Sequence, residues 1–315
     1  MTDRLSALDV SFLYLEGPTT PMHLGNLAVF ELPAAGFDYE RLVALVQERI
    51  SLVPRYRQKV AWVPGHLANP VWIDAVDFDV AYHVRRSGLP KPGTDQQLRE
   101  FCARIQSRAL DRRHPLWELY LIEGLSDSRV AIASKTHYAM VDGITAIDLE
   151  QVILDAAPSA RLGREPLWLP RPGPTSAELV VGAAADMVRR PTAALDAVRL
   201  RLTDLRASVG WAASIAGGMI SAARTVLNPP RSSPLNATTG ERRRFSVVRT
   251  PLADYRRVHT DLDVTVNDVV LATVAGALRG WLLLRGESVQ QSSTVRAMVP
   301  VSVRTDDEAA PLSSE

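Results

Sequence analysis

The chain has 315 residues, 46% hydrophobic and 23% charged, with a formal net charge of +1. That length suggests about two domains, and the composition excludes a disordered chain and offers no global attraction for nucleic acid. The single cysteine, Cys102, allows neither an intramolecular disulfide nor a cysteine-rich zinc site, which fits a reducing compartment.

The first seventeen residues carry Asp3, Asp9 and Glu16 and no long apolar core, so they do not read as a secretory signal. Leu24–Leu32 reads as a strand. Tyr39–Ile50 spaces Leu42, Leu45, Val46 and Ile50 for one helical face and predicts a helix. After Pro54 and the basic run Arg55, Arg57 and Lys59, two short strand candidates follow, Val71–Ile73 and Val80–Val84. Asp95–Leu110 is a second helix, with Leu98, Phe101, Ile105 and Leu110 near one face. Trp117–Glu123 and Val130–Thr136, with a polar turn at Ser126–Ser128 between them, resemble a hairpin. His137 then falls at the C-terminal end of the second strand, and Asp142-Gly143 is the turn into a helix, Ile144–Leu154.

Residues 161–174 hold four prolines and two glycines and read as a linker. Residues 176–227 read as two or three helices. Within them Ala207–Ala223 is uncharged, yet it holds three serines and three glycines and falls short of a span of about 20 apolar residues. It is the best membrane candidate, and packing on the protein is the preferred reading. After a second linker at 229–240, Phe245–Arg249 begins another α/β region. Thr265 and Asp268 match a capping box, with Val269–Leu284 as an apolar helix behind it. Thr294–Val303 reads as a buried strand. The expected layout is an N-terminal lobe at 1–160, a linker and helical segment at 161–240, and a partial C-terminal lobe at 241–315.

The most informative segment is Lys135–Gly143, KTHYAMVDG. It nearly matches the acyltransfer pattern His-His-x-x-x-Asp-Gly, with His137 as the first histidine, Tyr138 in the place of the second, and Asp142-Gly143 as the closing pair. Other blocks accompany it in order: LDVSFLYLEGPTTPMHLGNLAVFE (Leu8–Glu31), HPLWELYLIEGL (His114–Leu125), SPLN (Ser233–Asn236) with RRRF (Arg242–Phe245), TVNDVVLATVAGALRGWL from Thr265, and RAMVPVSVR (Arg296–Arg304). Together they resemble the bacterial wax ester synthase/diacylglycerol O-acyltransferase family.

The resemblance implies a mixed α/β fold like that of coenzyme A-dependent acyltransferases and condensation domains, with two lobes and a tunnel between them. It implies acyl transfer from a long-chain acyl-CoA to a diacylglycerol or a long-chain alcohol, in the cytoplasm at a membrane or lipid-body surface. Coenzyme A enters as part of the substrate, and no metal or other cofactor is implied. In the pattern the second histidine is the general base, since an alcohol attacks poorly until its proton is removed. His137 would line the tunnel, Tyr138 fills the base slot, and Asp142 and Gly143 shape the loop.

Two departures stand out. An unperturbed tyrosine has a pKa of about 10, so it is a poor base at neutral pH, and losing the base predicts a rate loss of about 10²- to 10⁴-fold. Neighbouring strand residues face opposite ways, so His137 does not simply replace it. Family members also continue beyond the block at Arg296–Arg304. The expectation is a split or truncated relative with an incomplete second lobe, completed by a second chain or acting as a lipid- or acyl-CoA-binding protein without turnover.

Other residues take plainer readings. Trp117 is read as core and Glu118 as surface, and Asn267-Asp268 as helix capping. His23, His66, His83, His114 and His259 show no metal-ligand spacing and are read as structural or solvent-facing. The cluster Arg242–Arg244 reads first as a solvated charge run, and second as a contact for coenzyme A phosphates or an anionic lipid surface.

Overall fold

The computed structural model describes residues 3–33, 36–141, 168–189, 234–237, 239–290 and 294–295. The chain divides into two units, Met1–Pro229 with Pro234–Phe245, and Pro230–Ser233 with Ser246–Glu315.

The first unit is built on two sheets. The smaller joins β1 (Asp3–Arg4), β4 (Val71–Asp74) and β3 (Gln58–Ala61) in the order β1-β4-β3, all antiparallel. The larger runs β2 (His23–Glu31), β7 (Arg129–His137), β6 (Trp117–Glu123) and β5 (Val84–Gly88). Its pairs are antiparallel except β5 with β6, which is parallel. The expected hairpin forms, with Trp117 opposite Thr136 and Ile122 opposite Ala131.

Both faces of the larger sheet are covered, which is why β6 and β7 are almost wholly buried. Alternation divides their side chains between two cores. Trp117, Leu119 and Leu121 join Val130 and Ile132 against α1 (Ala7–Leu15) and α2 (Tyr39–Arg49). Tyr120, Ile122, Ala131 and Ala133 face Leu98, Cys102 and Ile105 of α4 (Asp95–Gln106). A third cluster seats Leu179 and Ala183 of α5 (Ser176–Arg189) on Val63 and Val71.

Glycine brings the start of α4 close to the end of β6. Gly93 has φ +74°, and a Cβ there would lie 1.9 Å from the carbonyl oxygen of Gly124, so only glycine fits. Thr94 then opens α4 through a reciprocal capping box with Gln97.

Four expectations change. Val80–Val84 is not a strand: Asp79 caps the backbone N–H of Ala81, and α3 (Val80–His83) makes one helical turn before β5 begins. That turn buries Val80 and His83, a task strand alternation would not perform for both. The second helix stops at Gln106 rather than Leu110, because the ammonium of Lys135 reaches in from β7 to take the carbonyls of Ile105 and Arg108. Glu118 is buried rather than surface, since register places it opposite Lys135 with Arg85 3.0 Å away. Phe245–Arg249 has no regular secondary structure.

In the second unit α6 (Leu252–Leu262) turns through Asp263, in the left-handed region at φ +52°, into α7 (Val266–Leu284). The capping box is as expected: Thr265 Oγ1 accepts from the Asp268 N–H, and the Asp268 carboxylate accepts from the Thr265 N–H. The helix opens at Val266, three residues before the expected Val269. By length and composition α7 could cross a bilayer, and none of its apolar window is buried. The expected helix Ile144–Leu154, the segment Ala207–Ala223 and the strand Thr294–Val303, save its first two residues, lie outside the described residues.

Candidate active site

The motif begins where the central strand β7 ends. His137 is the last strand residue and is paired with His23 of β2. Its N–H donates to Leu116, and the next N–H, from Tyr138, donates to Met22. These two bonds tether the turn Tyr138–Met140, one turn of 3₁₀ helix, to the segments on either side.

The two adjacent motif residues diverge. His137 is completely enclosed, whereas Tyr138 is 37% exposed. The Tyr138 ring leans on Phe12 of α1, with centroids 5.3 Å apart. His137 Nδ1 accepts the backbone N–H of Ala139 at 3.0 Å. With Nδ1 accepting, the neutral ring carries its proton on Nε2.

That Nε2 faces Glu16, whose Oε2 is 3.7 Å away. Arg112 holds the same carboxylate oxygen through Nε at 3.0 Å and Nη2 at 2.7 Å, while its Nη2 also donates to the carbonyl of Leu13. Burial pushes the Glu16 carboxyl up, but His137 and Arg112 outweigh it and bring the pKa down to about 2. His137 Nε2 and Glu16 Oε1 have no hydrogen-bond partner among the described residues. Across the strand pair, His23 Nε2 donates to the carbonyl of Gln106, and burial, aided by Lys135, lowers its pKa to about 4. Lys135 is fully buried, and burial lowers its pKa.

Residues 5–270 match the family model for the wax ester synthase/diacylglycerol acyltransferase catalytic domain. The chain belongs to the wax ester synthase/diacylglycerol acyltransferase family. It is 44% identical over 264 residues to the probable diacylglycerol O-acyltransferase tgs3 of Mycobacterium tuberculosis, covering 84% of this chain and 97% of that protein. To tgs1 of the same organism, also named a probable diacylglycerol O-acyltransferase, it is 35% identical over 312 residues, 96% of this chain and 63% of tgs1. The fold matches the wax ester synthase/diacylglycerol acyltransferase of Marinobacter aquaeolei with a TM-score of 0.59 and 27% identity, covering 90% of this chain and 61% of that one. The chain therefore spans less than two thirds of two of these relatives and nearly all of the third.

Within this family chain, the structure puts His137 and Tyr138 side by side with their rings in different surroundings. Asp142 and Gly143 lie outside the described residues. Glu16 and Arg112 were not singled out by sequence reasoning. No local pattern joins Glu16 to Arg112, which are 96 positions apart. The available signal was the place of Glu16 inside the block Leu8–Glu31; Arg112 falls just before the block His114–Leu125 and carried none. Among the described residues no three His, Cys, Asp or Glu side chains are grouped to hold a metal.

Proposed function

We propose that this chain is an acyl-CoA-dependent O-acyltransferase that esterifies the hydroxyl of a diacylglycerol or long-chain alcohol. The family match over residues 5–270, which takes in the whole motif strand and loop, carries this reading. In the reaction the alcohol oxygen bonds to the thioester carbon, the carbon–sulfur bond breaks, and the hydroxyl proton ends on the departing thiolate. A base is needed for the first proton movement and donors for the oxyanion. Tyr138 occupies the base slot, and coenzyme A arrives as substrate rather than as a resident cofactor.

A second reading has a specific observation behind it. Both ring nitrogens of His137 are turned inward, one to the Ala139 N–H and one toward Glu16. With a tyrosine beside it, this favours a protein that holds acyl-CoA without turning it over. Release of free coenzyme A from a long-chain acyl-CoA, with diacylglycerol present, separates the two. Turnover by the native chain that Tyr138→His barely changes supports the enzyme and removes the missing base as the bottleneck. Silence from the native chain with turnover restored by Tyr138→His supports binding without turnover, imposed by one substitution. Silence from both, with long-chain acyl-CoA still bound, rejects the enzyme reading for this chain alone.

A further inference from the structure

The outer face of α4 and the segment Arg242–Phe245 enclose a groove of about 660 Å³ within the first unit. Gln96, Arg99, Glu100, Ala103, Arg104 and Ser107 form one side. The opposite side is pinned: the Arg243 N–H donates to Ser107 Oγ at 3.0 Å, and its guanidinium is committed to the carbonyls of Gly240, Arg242 and Thr19. Arg242 and Arg244 flank this anchor. Among the described residues Arg99, Arg104, Arg242 and Arg244 form no ion pair, and the one carboxylate present, Glu100, accepts from the Gln96 amide.

A chain of net charge +1 therefore gathers four guanidiniums, none of them in an ion pair, around one concavity that holds a single carboxylate. Guanidiniums match phosphate oxygens in charge and geometry, and convergence from two segments suits a discrete multiply charged ligand better than a flat bilayer. The groove continues inward. A second cavity of about 330 Å³ shares Ala103, Arg243, Arg244 and Phe245 with it. Leu27, Cys102 and Ala133 give this inner cavity apolar lining, and it reaches His23, the register partner of His137.

We propose that the outer groove seats the phosphates of the coenzyme A head on Arg99, Arg104, Arg242 and Arg244, with the thioester arm directed inward along the second cavity. This rests on the acyl-CoA reading above and adds the place of the head group. Calorimetric titration of the full chain with coenzyme A tests it without requiring turnover. Arg242→Ala/Arg244→Ala and Arg99→Ala/Arg104→Ala should each weaken binding tenfold or more, with melting temperatures unchanged. Arg41→Ala, an exposed control away from the groove, should change it less than twofold. Added salt should weaken native binding more steeply than that of either double variant. Native affinity in both double variants overturns the groove and leaves the acyl-CoA reading standing. Unchanged coenzyme A affinity with lost binding to phosphatidylglycerol vesicles assigns the arginines to a membrane and also overturns it. If the native chain binds neither coenzyme A nor palmitoyl-CoA, both readings fail.

Discussion

At the residue scale the polar interior makes stability depend on pH. Besides Lys135, three groups away from open solvent have pKa values below their ordinary ones: His23 and His83 at about 4, both chiefly through burial, and Glu16 at about 2, where His137 and Arg112 outweigh burial. His83 lies flat on Trp117, 4.5 Å between centroids, and donates from Nδ1 to the Trp117 carbonyl, so its neutral form is the one the core accommodates. A lowered folded pKa means that the unfolded chain takes up a proton at a pH where the folded chain does not. The contribution is complete above the unfolded pKa and lost as pH falls through the folded one. The histidine contributions should therefore disappear between about pH 6.5 and 4, and that of Glu16 between about 4.5 and 2. Thermal melts should show a fall of roughly ten degrees or more from pH 7 to 4. A flat melting temperature across that range would show that neither imidazole is held neutral by the fold.

The same scale shows why Tyr138 is informative and His137 is not a ready substitute. The strand ends at His137, which turns wholly inward, and the next side chain turns out against Phe12. Moving the histidine ring into the neighbouring slot would release the Ala139 N–H that Nδ1 now holds and separate the ring from Glu16. Tyr138→Phe tests whether the phenol contributes chemistry. If the native chain turns over, coenzyme A release should survive this change, because an ordinary phenol is almost entirely protonated at neutral pH. A hundredfold loss would instead identify the hydroxyl as part of the reaction.

At the element scale the entry to α4 concentrates local stability in two adjacent residues with different physics. Thr94 satisfies an otherwise unpaired helix N–H, and Thr94→Ala should cost about 1 kcal/mol in denaturant unfolding. Gly93 has no equivalent substitute. A Cβ there meets backbone at 1.9 Å in a left-handed conformation, so Gly93→Ala should cost roughly 3 kcal/mol or more. Equal, small losses at the two sites would mean that α4 can draw back from β6. Strands β2, β4, β6 and β7 were legible from the sequence, β6 and β7 through apolar runs bounded by a polar turn, whereas the short, charge-bearing β1, β3 and β5 were not. The turn α3 was not, because four residues containing Val80 and Tyr82 also suit a strand, and only Asp79 and the packing of His83 on Trp117 decide otherwise. Glu118 was misread for a related reason. A glutamate normally stays in water, and only pairing with β7 brings Lys135 and Arg85 to it.

At the scale of the whole molecule, every residue of the three hydrophobic clusters lies at or before Ala183, and no described residue after Phe245 is buried. Among the described residues the stabilising apolar burial therefore belongs to the first unit. A chain comprising Met1–Phe245 should melt cooperatively within a few degrees of the full-length protein. Loss of a cooperative transition on that deletion would place essential packing in residues 246–315.

The sequence by itself determined the family, the mixed α/β class, the hairpin that delivers the motif and the divergence of His137 from Tyr138. All of these rest on short-range order: adjacent residues, strand alternation and blocks in fixed succession. Only the tertiary structure decided the surroundings of His137, the burial of Glu118 and the convergence of Arg99 and Arg104 with Arg242 and Arg244. Those depend on charges far apart in the chain being brought to one place, and no local periodicity encodes which partner a buried or clustered charge will meet.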